Sequence, residues 1–336
     1  MQARNLFTAR KRYSLKLGAI SPKSEFSSNQ RLWYKKQVGN VREPIVHDVF
    51  ESKTGSWQYV VVDRATSVAV IIDPVLDYDP ITQKITTTSA DSLLALIGKK
   101  EYKVDMILET HAHADHLSAA SYLQHRLTQE QEYRPSIGIG KRIEQVQRRF
   151  GERYGIPAKE YDSVFDKAFE DDEEFAVGSL KAIAIHIPGH TPDHMGYKIG
   201  DNIFCGDSIF HIDIGSARAD FPDGSATDLF KSGRKLLTFP DHVKIWTGHD
   251  YPPKGRLDPV PYMTVAEHRR LNKHLMDGMT EEEFVKMRQA RDKTLAAPKL
   301  IHQSLQMNIR GGKLPAVSNT GQFMLHLPLK LGDLRW

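Results

Sequence analysis

Eight consecutive residues do most to limit what this chain can fold into: Glu109-Thr110-His111-Ala112-His113-Ala114-Asp115-His116. Four metal-capable side chains fall inside six residues, directly after the apolar run Val104-Asp105-Met106-Ile107-Leu108, which reads as a buried strand. On an extended segment residues i and i+2 project to the same side, so His111 and His113 are predicted to face one ion. Asp115 and His116 come as the chain turns into the next helix, and they point at a neighbouring position.

Three further candidate ligands sit at predicted strand ends, each in a glycine-containing loop. His190 lies in Pro188-Gly189-His190-Thr191-Pro192, Asp207 in Cys205-Gly206-Asp207-Ser208, and His249 in Thr247-Gly248-His249-Asp250-Tyr251. Loops at strand ends are where a rigid scaffold places reactive groups, and small glycines let the backbone approach an ion closely. Mixed imidazole and carboxylate donors suit zinc or non-haem iron better than calcium or magnesium, which prefer all-oxygen shells.

The rest of the chain reads as α/β. Trp57 to Val62 and Val68 to Ile72 are rich in β-branched residues and are separated by a turn, Asp63 to Ser67, which predicts an antiparallel hairpin ended by Asp73-Pro74. A helix is expected over Ser89 to Leu96, closed by Gly98, and another after the metal stretch, carrying Leu117, Ala120, Tyr122 and Leu123. Pro135 to Ile139 predicts a strand, Arg142 to Phe150 a helix, and the acidic run Glu170 to Glu174 a solvated turn. Strands follow at Leu180 to Ile187, Met195 to Ile199, Asn202 to Cys205 and Val243 to Thr247. Beyond Pro252 the pattern turns helical: one helix over Thr264 to Met276, ended by Gly278, then a capping box at Thr280 and Glu283. Two sheets with flanking helices are the expected layering.

Composition bounds the function. With 336 residues, 40% hydrophobic and 26% charged, the chain can bury a substantial core. A net charge of +4 offers no basic stripe for nucleic acid, and no apolar run approaches the ~20 residues that span a bilayer. The single cysteine, Cys205, excludes an intramolecular disulfide framework; following Ile203-Phe204 it is expected to pack as a small buried hydrophobe. Residues 1–40 stand apart. Arg4, Arg10, Lys11, Arg12, Lys16, Lys23, Arg31, Lys35 and Lys36 face one acid, Glu25, among recurring serines, the composition of a mitochondrial presequence or a disordered basic tail. The expected localisation is the mitochondrial matrix, with the cytoplasm as the alternative.

His111-Ala112-His113-Ala114-Asp115-His116 with later His190, Asp207 and His249 resembles the metallo-β-lactamase superfamily. The resemblance implies an αββα sandwich over residues 41–255, with a helical extension at 256–336 packed on the same domain. It groups His111, His113 and His190 as one metal site and Asp115, His116 and His249 as a second, with Asp207 between them. Asp115 and His116 are the candidate catalytic residues. Most members are hydrolases in which a metal-bound water attacks a carbonyl.

Further residues point to one branch. Gly215-Ser216-Ala217-Arg218-Ala219-Asp220-Phe221, His249-Asp250-Tyr251, Thr264-Val265-Ala266-Glu267-His268-Arg269 and Asn308-Ile309-Arg310 resemble segments of the glutathione-dependent persulfide dioxygenases. That resemblance implies one Fe(II) per chain on His111, His190 and Asp207, with His113, Asp115, His116 and His249 orienting ligands or water. It also implies oxidation of glutathione persulfide by O2 to sulfite and glutathione, with Arg218, Tyr251 and Arg269 contacting the substrate. The chain departs from that branch at Thr191-Pro192-Asp193-His194-Met195-Gly196-Tyr197 and in the longer Ile209 to Ile214 segment. The extra polar groups there, His194, His211 and Asp213, are expected to be structural. The competing expectation is a zinc hydrolase of the glyoxalase II, lactonase or β-lactamase kind, with one or two Zn2+ per chain. A metal-stabilised interaction protein is a third. The expected partners are a small thiol or persulfide, no nucleic acid, no membrane, and a second copy in a homodimer.

Overall fold

The computed structural model describes residues 43–332, and the basic segment 1–40 lies outside the described residues. In chain order the strands begin with β1 (Ile45–Glu51), β2 (Ser56–Val62), β3 (Val68–Ile72), β4 (Val75–Asp79) and β5 (Lys84–Thr86). Helix α1 (Thr88–Lys100) leads to β6 (Lys103–Leu108), β7 (Leu117–Ser118), α2 (Ala120–Glu130), β8 (Ser136–Gly140), α3 (Ile143–Tyr154) and β9 (Lys167–Phe169). Then come β10 (Glu173–Val177), β11 (Leu180–His186), β12 (Met195–Ile199), β13 (Asn202–Phe204), α4 (Ala226–Leu236) and β14 (Lys244–Trp246). The chain closes with β15 (Tyr262–Thr264), α5 (Val265–Leu271), α6 (Glu281–Asp292) and α7 (Ile301–Asn308).

Among the described residues two six-stranded sheets form, ordered β1-β2-β3-β6-β8-β9 and β10-β11-β12-β13-β14-β15, beside a small sheet β5-β4-β7. In the first, β1, β2 and β3 pair antiparallel and β3, β6, β8 and β9 pair parallel. The period-two geometry of β2 divides its side chains between two cores. Trp57, Tyr59 and Val61 point inward with Val70, Ile72 and Leu108 to meet Tyr197, Phe204 and Trp246 of the second sheet. Val60 and Val62 point outward with Ala69, Ile71 and Ile107, against Leu93, Ile97, Leu123 and Leu127 of α1 and α2. Ile183, Ile185, Ile203 and Ile245 of the second sheet meet Leu229 and Leu236 of α4, Val265 of α5 and Phe284 of α6. The four layers are helix, sheet, sheet, helix, an α/β sandwich. Among the described residues, no helix is long and apolar enough to cross a membrane.

Several expectations change. Helix α1 runs on through Gly98 and ends at Lys100, where the cap residue Glu101, at a left-handed φ of 56°, supplies the stop instead. Leu117 belongs to the short strand β7, which pairs with β4. The helix expected to reach Met276 ends at Leu271. There the Asn272 side chain donates to Gly215 O at 3.0 Å and accepts the N–H of Leu275 at 3.0 Å, so it competes with the helical pattern. The segment after residue 255 is not purely helical, because β15 completes the second sheet beside β14. Helices α4 and α7 went unread from the sequence; their apolar faces are short and carry serines, lysines and glutamines.

Candidate metal centre

All seven predicted donors lie in loops that follow β6, β11, β13 and β14 at one edge of the sandwich. After Leu108 the chain leaves strand geometry, and its histidine rings pack side by side, with His111 and His113 centroids 4.1 Å apart. The donor atoms of His111, His190 and Asp207 lie within 4.8 Å of one another. The same holds for His113, Asp115 and His116, and for Asp115, Asp207 and His249. By this distance His113 falls with Asp115 and His116, whereas the resemblance groups it with His111 and His190. Asp207 stands between two groups, as expected. Gly206 and Gly248 permit the close approach: a Cβ on Gly248 would fall 2.4 Å from Asp207 Oδ1, and one on Gly206 2.4 Å from Thr110 Oγ1.

Each histidine is anchored through one ring nitrogen, which leaves the other for the centre. Carbonyl oxygens only accept, so Nδ1–H of His190 donates to Arg218 O at 2.8 Å and that of His116 to Leu117 O at 3.1 Å. Nδ1–H of His249 donates to Gly55 O at 3.2 Å. Thr110 Oγ1 gives its proton to Asp73 Oδ2 at 2.8 Å and so accepts Nδ1–H of His111 at 3.0 Å. His113 is reversed: its Nε2 lies 3.1 Å from Asp73 Oδ1 and 3.2 Å from Glu109 Oε2. Among the described residues, the buried atoms His111 Nε2, His113 Nδ1 and Asp207 Oδ1 have no hydrogen-bond partner. Unpartnered buried polar atoms in two of these groups, His111 Nε2 and Asp207 Oδ1 in one and His113 Nδ1 in another, are what a cation would satisfy, and fixing the opposite nitrogen sets the tautomer a ligand needs.

The electrostatics divide the donors: His111 and His116 are held neutral and His249 is held protonated. Burial, then neighbouring His113, holds His111 well below the usual imidazole range and brings His116 down to about 4, so both stay neutral as ligands require. Burial opposes protonation of His249, but Asp207 and Asp115 raise it to about 9. Burial pushes the Asp207 carboxyl up despite His249 and His190. Four carboxylates and five imidazoles in a dry site are a poor arrangement for the protein alone and a good one for a divalent ion. Cys205 is buried and pushed up to about 12 by that burial, which makes it inert.

The braces around these donors were mostly unread from the sequence. Asp73, at a left-handed φ of 51°, accepts from Thr110 N–H at 2.7 Å and supports both His111 and His113. Asn308 lies 192 residues beyond His116; its Nδ2 donates to the carbonyls of His113 and His116, both at 2.8 Å, and its Oδ1 accepts Ser118 N–H. His194 stacks on His111 and accepts Asp207 N–H at 3.0 Å, the structural role expected of it. His211 pairs with Asp213, and Arg256 joins Asp213 to Asp250 beside Tyr251. A conspicuous local signal existed for Asp73, a charged residue closing an all-apolar strand. None existed for the pairing of Asn308 with its loop.

A cavity of about 740 Å³ opens over Asp115, His190, Asp207 and His249. Its walls include Arg218 and Tyr251, with Tyr251 stacked on His249 at 13°. The Arg218 guanidinium forks Asp220 and donates to Ala296 O at 2.8 Å. Arg269, the third expected contact, does not line this cavity, and Asp277 and Asp241 hold its guanidinium. Cations missed in the sequence line the cavity instead, namely Lys53, Arg288, Arg291 and Lys299.

The family model of the metallo-beta-lactamase superfamily matches residues 53–249. A beta-lactamase hydrolase-like protein of Xylella fastidiosa (strain Temecula1) is 44% identical over 298 residues, covering 88% of this chain and 67% of that protein. Glyoxylase B2 of Dictyostelium discoideum is 43% identical over 284 residues, 83% of this chain and 94% of that one. The mitochondrial persulfide dioxygenase ETHE1 of Bos taurus is 28% identical over 279 residues, 82% and 91% respectively. Among solved structures, ETHE1 from Myxococcus xanthus superposes with a TM-score of 0.64 at 28% identity, covering 80% of this chain and all of that one.

Proposed function

The chain belongs to the metallo-beta-lactamase superfamily, whose members are metal-dependent enzymes, and on that premise we propose that it is an iron-dependent persulfide dioxygenase. The observation that carries this reading is the cluster of two imidazoles and one carboxylate, His111, His190 and Asp207, with donor atoms within 4.8 Å. Such a set leaves coordination positions open, and a ferrous ion held there would supply redox chemistry with O2. One persulfide, one O2 and one water balance to one thiol, one sulfite and two protons.

The chain's own residues would bind and orient the substrate. Arg218 and the cavity cations Lys53, Arg291 and Lys299 suit a thiol that carries carboxylates, such as glutathione, and Tyr251 offers a hydroxyl at the rim. Asp115 and His249, 3.2 Å apart beside the cavity, form a pair able to hold and pass a proton near the reacting sulfur. The likeness to ETHE1 supports the reading at 28% identity. Residues 1–40 fit a mitochondrial address in the same reading, tested by import of a reporter fused to them, and size measurement in solution tests a homodimer.

The experiment is oxygen uptake and sulfite release by the iron-loaded full chain with glutathione persulfide, lost in His190→Ala. Stoichiometric iron with no oxygen uptake on any persulfide would sink the proposal. A second reading, a zinc hydrolase acting on a thioester, ester or amide, is favoured by the Asp115, Asp207 and His249 cluster and by the 43% identity to glyoxylase B2. Two zinc ions per chain with thioester turnover would establish that reading instead.

A further inference from the structure

Helix α6 breaks a local rule. Its buried positions are Phe284, Arg288 and Asp292, so after one aromatic anchor the inward stripe turns charged. Asp292 is the last residue of the helix, where the macrodipole disfavours an anion, and it is only 7% exposed. Arg288, 1% exposed, compensates it, with Nε at 2.9 Å and Nη2 at 2.6 Å from Asp292 Oδ1. Well-packed apolar residues in place of a buried ion pair are often neutral or stabilising, so stability alone does not account for this one.

The second carboxylate oxygen has a definite task. Asp292 Oδ2 accepts the N–H of Ala219 at 2.9 Å. The carbonyl of the same peptide unit, that of Arg218, accepts Nδ1–H of His190 at 2.8 Å. A single peptide plane therefore connects a buried carboxylate on α6 to a metal-site histidine. Arg288 also donates to Ser216 O at 3.3 Å, which pins the segment on its other side.

We propose that Asp292, held by Arg288, is a positioning residue that acts on His190 through the 218–219 peptide. An anion at the N–H polarises the peptide and makes its carbonyl a stronger acceptor. The stronger acceptor holds the proton of His190 on Nδ1, keeps the Nε2 lone pair on the centre and fixes the orientation of the ring. The proposal concerns the donor set and stands for an oxygenase or a hydrolase alike.

Two variants of the full-length, metal-loaded chain test it. Arg288→Met with Asp292→Ala removes the pair together and strands no buried charge; Asp292→Asn keeps an acceptor for Ala219 but not the charge. Metal transfer to a chelator should accelerate about 10- to 100-fold in the double variant and less in Asp292→Asn. The visible absorption of the cobalt-substituted protein should shift in the same order. Glu160→Gln, which weakens the Glu160–Arg310 ion pair without touching the 218–219 peptide, should move neither reading. A folded double variant with the parent's release rate and cobalt spectrum would overturn the proposal, as would an equal response from Glu160→Gln. Should the double variant not fold, the isosteric Asp292→Asn decides by the same two readings.

Discussion

The loop 109–116 and the segment 281–310 serve the same centre in opposite ways. The loop supplies donors from neighbouring residues, His111, His113, Asp115 and His116, so its chemistry is packed into one short string. The distant segment supplies only supports: Asn308 pins the loop's carbonyls, and Asp292 reaches the peptide that holds His190. Donors can be local in sequence because one turn of backbone brings them together. Supports must come from elsewhere, because a loop cannot satisfy its own buried carbonyls without ceasing to be a loop.

If that division holds, damage to the two regions should differ in kind. The largest effect is expected from His111→Ala, which deletes a donor. Bound metal by elemental analysis should be lost, and turnover should fall by more than about a hundredfold, the upper end for groups that only support a ligand. Removing the metal from the parent with a chelator should match this loss, and metal addition should restore the parent alone.

Asn308→Ala comes next. It strands the His113 and His116 carbonyls and the Ser118 N–H, so denaturant unfolding should show about 2–4 kcal/mol of lost stability. Metal affinity should fall on the order of tenfold. Unchanged affinity with lost stability would mean that the segment supports the fold and not the centre.

A smaller effect is expected away from both regions, at Asp63. Burial would raise its carboxyl, but N–H groups of Ser179 and Ala65 and the Thr66 hydroxyl bring it down to about 2. A depressed folded value means stabilisation that is present above the ordinary carboxylate range near pH 4 and lost as pH falls through about 2. Acid melts should show about 1–2 kcal/mol lost over that window, and Asp63→Asn should flatten it. The smallest effect belongs to Arg269→Ala. With its guanidinium on Asp277 and Asp241, the change should cost less than about 1 kcal/mol and leave KM untouched. A raised KM would return Arg269 to the substrate.

Much of this was legible before folding was considered. The hairpin of β2 and β3 follows from two β-branched runs around Asp63 to Ser67, and the capping box at Thr280 and Glu283 forms as its spacing requires. The seven donors were readable because metal chemistry restricts residue type so severely. The Thr264 to Met276 helix was misread because its stop is a side chain, Asn272, bonding to Gly215 far away in sequence. The position of Arg269 was not legible for a related reason: a motif carries residue types, while partners such as Asp277 and Asp241 decide where a guanidinium goes.

The amino-acid string by itself determined the candidate donors, the layered α/β class and the strand ends on which they ride. Periodicity and ligand chemistry are local properties, and local properties survive in a string. Only the tertiary structure decided that His113 turns its Nε2 to Asp73 and Glu109, and that Arg288, Arg291 and Lys299 line the cavity in place of Arg269. It also decided that one peptide plane joins Asp292 to His190. Each of these depends on which nitrogen of a ring, or which oxygen of a carboxylate, meets a partner brought in by the packing of whole layers.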